Sequence, residues 1–336
     1  MSANLPRPNL HPPLRGVIVF ALVCAALLIA PALADRYILS VLILVCLSAY
    51  FGQAWNILMG YCGLLSLGHA LYMGLGAYVS AWLFVQHGVS PLIGVLPAVA
   101  VSLAAAAVLG WLGFRFRIEG VYFALLTIAF AEIARIGFDN LSATGGAAGL
   151  FLPVRGEDAG QWWNLRAGPV FFYYLALSLA ALATLASFLL RRSRIGHAWL
   201  AMREDPEAAR AVGISPFRAR LSALLVSAGL TAVGGVFIAF WSNNLFPAQI
   251  FDITRSTDIM LAPIIGGVGT LFGPIVGAFL LVPLGEALTE LLRAGGIDVP
   301  GVKALVYGLL LMGIIASLPN GLWPWLSRRL KLTSRS

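Results

Sequence analysis

Residues 70–114 read ALYMGLGAYVSAWLFVQHGVSPLIGVLPAVAVSLAAAAVLGWLGF and contain no Asp, Glu, Lys or Arg. A helix needs about 20 mostly apolar residues to cross a bilayer, and several windows of the chain reach that length. The whole chain is 60% hydrophobic and only 11% charged, whereas soluble domains are about 25% charged. The sequence therefore predicts an all-α, polytopic membrane protein.

Ten apolar segments are predicted to be transmembrane helices of a single domain over residues 17–326. They are Val17–Ala34, Tyr37–Met59, Leu64–Val85, Pro91–Phe114, Gly120–Phe138, Pro169–Leu190, Leu221–Trp241, Asp258–Leu271, Pro274–Leu292 and Val302–Leu318. The first is longer than the apolar core of a signal peptide, usually ~7–15 residues, which favours an uncleaved helix. The eighth is short, and GGVGTLFGP at 266–274 would break or turn a helix. Because lipid cannot satisfy non-helical backbone, we expect 266–274 to be buried in protein or to lie at the membrane surface.

The basic residues indicate how the helices are oriented. With the N-terminus inside, 15 of the 22 Lys and Arg residues fall in four inner segments, 1–16, 115–117, 191–220 and 327–336. Lys and Arg are retained on the cytoplasmic side of membranes. This bias predicts a cytoplasmic N-terminal tail, a cytoplasmic loop at 191–220, a basic cytoplasmic C-terminal tail and an outer loop at 139–168. The net charge of +8 has the same origin and does not indicate nucleic-acid binding.

Two outer stretches, 139–168 and 243–257, are candidate docking surfaces for an extracytoplasmic partner. The first contains several glycines and the adjacent Trp162 and Trp163, and the second mixes Asn, Pro, Asp and Arg. Paired tryptophans beside a span are typical of the interfacial aromatic belt, an interpretation that we prefer to a ligand-stacking role.

The charged loop 191–220 contains a short helix with both of its ends encoded. Asp205 is a good N-cap, Pro206 suits the first helical position, and Glu207 favours the positive end of the helix dipole. Gly213 suits a left-handed stop after the last turn. A two-turn helix alone in water is marginal, so this helix makes sense if a partner receives it. An ordinary basic loop between membrane helices is the alternative.

His69, Glu132 and Arg135 are ionisable residues within the apolar spans. A lone histidine such as His69 is more often a hydrogen-bonded packing residue than a proton relay, and the absence of a second ligand nearby excludes a metal site. Glu132 and Arg135 are three apart and can pair on one helix face. We interpret them as a structural ion pair that faces a neighbouring helix. A secondary transporter or channel that uses the same three residues is the alternative.

Small residues within the spans predict close helix packing. Ala70 and Gly74 are four apart on one helix face, as are Gly273 and Gly277, and such faces let helix backbones approach closely in lipid. The three cysteines have no C-x-x-C spacing, and we interpret them as small core residues.

The motifs of common enzyme classes are absent from the sequence. There is no Walker A sequence, no G-x-S-x-G, and no His, Cys or Asp cluster with metal-ligand spacing. Any ATP hydrolysis would therefore be done by another polypeptide.

Five motifs in a fixed order resemble those of one family. They are SLGHA at 66–70, GVYFALLTIAFAE at 120–132, TGG at 144–146 with GL at 149–150, RIGHAWLAMREDPEAARAVG at 194–213, and GGVGTLFGP at 266–274. Over roughly residues 56–318, the chain resembles the M-type permease subunits of branched-chain amino acid (LIV-type) ABC importers. Within it, EAARAVG at 207–213 resembles the loop through which ABC-importer permeases contact their ATPases.

The resemblance implies a type II-like ABC importer permease in the bacterial inner membrane, with both termini cytoplasmic. Besides membrane lipid, its partners would be a sister permease in a heterodimer, two ATP-binding cassette subunits, and a periplasmic binding protein that delivers Leu, Ile or Val. The ATPases would use ATP–Mg, and this chain would hold no cofactor. Permeases for urea, short amides or aromatic acids share the scaffold, so those substrates remain alternatives.

The resemblance also assigns roles to individual residues. ATPase coupling would involve Arg203, Glu204, Asp205, Glu207, Ala208, Ala209 and Gly213. The pathway is not assigned by the resemblance, and from the residues themselves the candidates for the pathway or for packing are Ser66, Gly68, His69, Tyr72, Thr127 and Glu132. The coupling loop would move as a lever when the ATPases close, and the pathway would open by alternating access.

Overall fold

A computed structural model describes residues 14–153, 161–296 and 301–330 as a bundle of α-helices. The helices are α1 (Leu14–Leu33), α2 (Arg36–Asn56), α3 (His69–His87), α4 (Pro91–Arg115), α5 (Val121–Asn140), α6 (Pro169–Arg192), α7 (Arg194–Glu204), α8 (Pro206–Ala211), α9 (Pro216–Ser242), α10 (Pro247–Ile250), α11 (Ile253–Gly266), α12 (Gly273–Ala294), α13 (Val302–Ser317) and α14 (Leu322–Arg329). Two short strands are also present, β1 (Leu150–Phe151) and β2 (Asn244–Leu245). The predicted all-α class is confirmed.

Every predicted span contains a helix, but fewer than ten helices have the dimensions of a full crossing. Among the described residues, six are long and apolar enough: α4, α5, α6, α9, α12, and α2 together with the π-helical turn Ile57–Tyr61 that extends it. α13 and α14 meet at an angle of 52°, and together they would form a seventh, broken span. The count of ten stays a prediction.

Two predicted spans have different boundaries in the structure. In place of the span Asp258–Leu271, α11 begins at Ile253, because the Asp252 carboxylate accepts the N–H of Thr254 at 2.7 Å and caps the helix. α11 has 14 residues, and at about 1.5 Å per residue it is shorter than the roughly 30 Å hydrocarbon core. In place of Leu64–Val85, α3 begins only at His69.

The predicted tails fall partly outside the described residues. α1 begins at Leu14, inside the predicted tail 1–16, of which residues 1–13 are not described. α14 continues to Arg329, so the predicted basic tail 327–336 starts within a helix, and its residues 331–336 lie outside the description. Residues 154–160 of the predicted outer loop lie outside it as well.

The centre of the bundle is built from α2, α3 and α9. α3 packs against α4 and α9, and α2 packs against α6, α9, α11 and α12. The crossing of α3 and α9 depends on glycine, because a Cβ on Gly76 would overlap the carbonyl oxygen of Ala232, and a Cβ on Gly235 would overlap that of Met73. The absence of a side chain at both positions lets the two backbones touch.

The crossing of α11 and α12 confirms one of the two small-residue predictions. A Cβ on Gly277 would overlap the carbonyl oxygen of Ala262, so these helix backbones approach as closely as the Gly273–Gly277 spacing predicts. Gly74 differs, since it lies against the aromatic ring of Phe251 and not against a helix backbone.

Long-range contacts tie each end of the bundle. At what we call the inner end, Arg220 at the start of α9 pairs with Glu119, before α5, at 2.5 Å. At the outer end, β1 and β2 pair antiparallel, with Leu150 opposite Leu245. The predicted inner loops therefore meet at one end, and the two predicted outer stretches meet at the other.

Candidate functional site

The first turn of α8 is capped as the sequence predicts. One carboxylate oxygen of Asp205 accepts hydrogen bonds from the backbone N–H of Glu207 at 2.8 Å and of Ala208 at 3.1 Å. Pro206 occupies the first helical position, where a missing N–H costs nothing. The predicted N-cap is confirmed.

The stop after α8 is also confirmed. Gly213 has a φ of +85°, and its N–H donates to the carbonyl of Arg210 at 2.9 Å. The N–H of Ile214 donates to the carbonyl of Ala209 at 3.0 Å. A Cβ on Gly213 would meet nothing within 4 Å, so the left-handed backbone alone selects glycine here.

α8 is anchored by one buried side chain and is otherwise open. Ala209 is 3% exposed and packs into the hydrophobic core. The other predicted coupling residues of the cap and first turn are exposed: Glu204, Asp205, Glu207 and Ala208. Val212 extends this surface and is 77% exposed. The sequence prediction missed Val212, although a large aliphatic residue within a charged loop is a signal that could have identified it.

Arg203, in the last turn of α7, reaches toward the bundle. Its Nη1 donates a hydrogen bond to the carbonyl oxygen of Gly60, in the π-helical turn that follows α2. A Cβ on Gly269 would overlap its guanidinium. Arg203 therefore contacts both the end of α2 and the glycine loop, by which we mean residues 267–272 between α11 and α12.

The glycine loop is held in place by two buried amides at the end of α2. Asn56 donates to the carbonyl of Thr270 at 2.9 Å and accepts the N–H of Gly269 at 2.8 Å. Gln53 donates to the carbonyl of Leu271 at 2.7 Å. These bonds satisfy backbone groups that lipid could not. The sequence prediction missed both amides, and their signal is two polar residues three apart at the end of an apolar span.

Five of the six pathway-or-packing candidates are buried within this subunit: Ser66, Gly68, His69, Tyr72 and Thr127. One ring nitrogen of His69 is 2.8 Å from the Ser227 hydroxyl, and the other is 3.3 Å from the Ser66 hydroxyl. His69 is therefore buried with a hydroxyl near each ring nitrogen, and its interpretation as a packing residue stays a prediction. The Thr127 hydroxyl accepts the N–H of Leu67 at 3.1 Å and so joins α5 to the start of α3.

Glu132, the sixth candidate, lies on the surface of α5. Arg135 donates to it at 2.9 Å, as the spacing predicts, and also pairs with Asp139 at 2.7 Å, a second partner that the prediction missed. The Glu132 side chain is 50% exposed. The three charges pair along one side of α5, where Arg135 and Asp139 are partly buried, and the expectation that the pair faces a neighbouring helix stays a prediction. Among the described residues, no hydrogen bond joins them to His69.

Comparison with known proteins decides the class of this chain. The family model described as "Branched-chain amino acid transport system / permease component" matches residues 37–315. The chain belongs to this family. It is a LIV-type ABC permease of the M-type kind, as its motifs predict.

Three relatives illustrate the range of the family. LivM, the "High-affinity branched-chain amino acid transport system permease protein" of Escherichia coli strain K12, is 31% identical over 328 residues, which cover 90% of this chain and 73% of LivM. The galactose/methyl galactoside import permease protein MglC of Haemophilus influenzae is 26% identical over 258 residues, covering 69% of this chain and 74% of MglC. LivH of Escherichia coli strain K12 is 25% identical over 290 residues, covering 79% and 89%. No solved structure matches the chain.

Proposed function

We propose that this chain is the permease subunit of an ATP-driven importer for branched-chain amino acids, coupled to its ATPases through residues 203–213. The observation that supports this most strongly is α8. It is a helix of six residues, capped at both ends and held by one buried alanine, that leaves its acidic cap and Val212 exposed at the inner end. Because so short a helix is marginal alone, its defined ends fit a surface that is received by a partner.

Two ATP-binding cassette subunits are the proposed receptor for α8, and they would use the ATP–Mg that this chain has no motif to bind. Glu204, Asp205, Glu207 and Ala208 would contact the ATPase directly, because all four are exposed. Ala209 and Gly213 would shape that surface, since one anchors the helix and the other ends it.

A sister permease is the proposed partner at the charged side of α5. A half-exposed carboxylate within a membrane helix is costly against lipid, and such residues face protein or water. Glu132, exposed as described, therefore fits an interface with a second subunit or a water-filled pathway between the two. The likeness of this chain to both LivM and LivH supports a pair of related permeases.

The proposed cycle is alternating access in the bacterial inner membrane, with both termini in the cytoplasm. A periplasmic binding protein would deliver the amino acid at the outer end, where the two outer stretches are joined by the β1–β2 pair. Closure of the ATPases would move α8 and open the pathway. That step requires ATP to bind one conformation of the complex more tightly than the other.

The amino acid itself is assigned by likeness to LivM. MglC, which is named for galactose, shares the scaffold, so the fold does not fix the ligand. The reconstituted complex should therefore be tested with Leu, Ile, Val, urea, short amides and aromatic acids. We expect the three aliphatic amino acids to stimulate ATP hydrolysis, and stimulation by another class alone would reassign the substrate.

Substitutions in α8 test the coupling role. Glu207→Lys reverses an exposed charge, and Gly213→Pro forces a negative φ where the backbone has +85°. We expect either change to reduce ATPase association or substrate-stimulated hydrolysis roughly tenfold or more, the scale of one interface hot spot, while the protein still inserts. Arg218→Gln, in the same loop, is the matched control. Wild-type transport by both α8 variants would refute the coupling role.

A further inference from the structure

We infer that Arg203, which is exposed at the inner end, acts as a positioning residue that transmits the movement of α8 to the glycine loop. The inference rests on the proposed function, because it concerns how the coupling helix acts on the rest of the permease. It changes the role that the sequence assigns to Arg203, which there belongs to the ATPase-contacting set.

A short, hydrogen-bonded stretch of backbone connects Arg203 to α8. Only Glu204 and Asp205 separate it from Pro206, the first residue of α8. The N–H of Asp205 donates to the carbonyl of Ala201 at 3.1 Å, so the last turn of α7 continues up to the cap of α8. A displacement of α8 therefore moves the backbone that bears Arg203.

Three glycines lie directly under the Arg203 side chain. Gly60 accepts its hydrogen bond, and a Cβ on Gly269 would overlap its guanidinium. A Cβ on Gly63 would lie 3.4 Å from the Arg203 Cα. The arginine thus rests on backbone from two distant segments, and the lack of side chains there allows the close approach. A charge-assisted hydrogen bond to a carbonyl is stronger than a neutral one.

The two segments under Arg203 are also tied to each other. Asn56 bonds to Gly269 and Thr270, and a Cβ on Gly60 would lie 2.7 Å from the N of Gly269. The π-helical turn and the glycine loop therefore form one packed unit, and π-turns inside helices are frequent at functional sites. Arg203 is the side chain that joins this unit to the coupling helix.

The glycine loop connects the unit to two helices that pack against α2. It leaves α11 at Gly266 and enters α12 at Gly273, and a Cβ on Gly266 would overlap the carbonyl of Gly273. Because the ends of the loop are in contact, a shift of the loop is passed to α11 and α12 together. Arg203 therefore provides one path from α8 to the interior of the permease, beside the buried contact of Ala209.

Transport assays with Arg203 variants test this inference. The complex with its ATPases and binding protein is reconstituted with Arg203→Gln, Arg203→Lys, or the control Arg218→Gln, which removes the same charge from the same loop. We expect Arg203→Gln to assemble with the ATPases at the control level. Substrate stimulation of hydrolysis should fall roughly fivefold or more, the lower range of allosteric coupling. Substrate stimulation in Arg203→Lys should lie between that of the control and that of Arg203→Gln, because lysine keeps the positive charge but lacks the planar guanidinium.

A second measurement follows the glycine loop itself. Val268→Cys places a thiol in the loop without removing a side-chain hydrogen bond, and its maleimide labelling rate is measured with and without ATP. The labelling of the same complex without Val268→Cys is subtracted, because Cys24 is partly exposed, whereas Cys46 and Cys62 are buried. We expect ATP to change the labelling rate of Val268→Cys when Arg203 is present, either without another substitution or with Arg218→Gln. In Arg203→Gln, ATP should leave that rate unchanged.

Failure of this inference is distinguishable from failure of the proposed function. If Arg203→Gln shows wild-type substrate stimulation and wild-type labelling while Glu207→Lys loses substrate stimulation, only the role of Arg203 is overturned. Loss of ATPase association in Arg203→Gln would overturn it too, because the residue would then be a docking contact. Wild-type coupling in the α8 variants as well would refute the proposed function.

Discussion

At the scale of single residues, glycines decide which helices can touch. Gly235 lies on α9 where a Cβ would overlap the carbonyl of Met73, whereas a Cβ on Gly137 of α5 would meet nothing within 4 Å. We expect Gly235→Ala to lower the free energy of unfolding by about 1–3 kcal/mol, the usual cost of overpacking. Gly137→Ala should be neutral or slightly stabilising, because alanine is the better helix former.

Thermal unfolding of the two purified variants in detergent provides the measurement. The expected result is a clear fall in melting temperature for Gly235→Ala alone. Equal melting temperatures would mean that α3 and α9 do not cross as closely as the structure shows.

Residue roles could be predicted from the sequence when they depend on neighbours in the chain. The cap at Asp205 and the stop at Gly213 involve partners within four positions, so composition and spacing sufficed. The partner of Arg203 is Gly60, 143 positions away. No local pattern records a contact between residues so far apart, so the sequence could not predict it.

At the scale of elements, the polar end of α2 holds the glycine loop. Asn56 makes two bonds to that loop, to Thr270 and Gly269, and is fully buried. We expect Asn56→Ala to destabilise the protein by about 1–3 kcal/mol for each backbone group left unpaired. Asn140→Ala is the matched control, because Asn140 is exposed and donates only to Ile136 on its own helix.

Melting temperatures of these two variants, measured in the same detergent, test the assignment. Asn56→Ala should melt well below the wild type, and Asn140→Ala should remain close to it. Equal melting temperatures for Asn56→Ala and Asn140→Ala would mean that the position of the glycine loop does not depend on Asn56.

Element boundaries were predictable where apolar patterning coincided with strong caps. Pro91 and Pro169 begin helices as expected, since each occupies a first helical position. The start of α11 was missed because the Asp252 cap precedes a polar first turn, which apolar patterning does not detect. The β1–β2 pair was missed as well, because each strand has only two residues and its partner is distant in sequence.

At the scale of the whole molecule, the sequence predicted class and family, and the structure supplied the connections between distant segments. The predicted inner segments 115–117 and 191–220 lie at the same end of the bundle, as the pair of Arg220 with Glu119 shows. The pathway could not be predicted, because an interface that this chain would form with a second subunit is not encoded in its own packing. Five of the six candidates lie inside the subunit, and Glu132 alone among them is exposed to such a partner.

The most direct test of the central claim, that this permease depends on a separate motor, is uptake of radiolabelled leucine into proteoliposomes. The complete complex, supplied with binding protein and ATP, is compared with this chain alone under a proton or sodium gradient. We predict ATP-dependent uptake by the complex and none by the chain alone. Uptake by the solitary chain on an ion gradient would contradict the account.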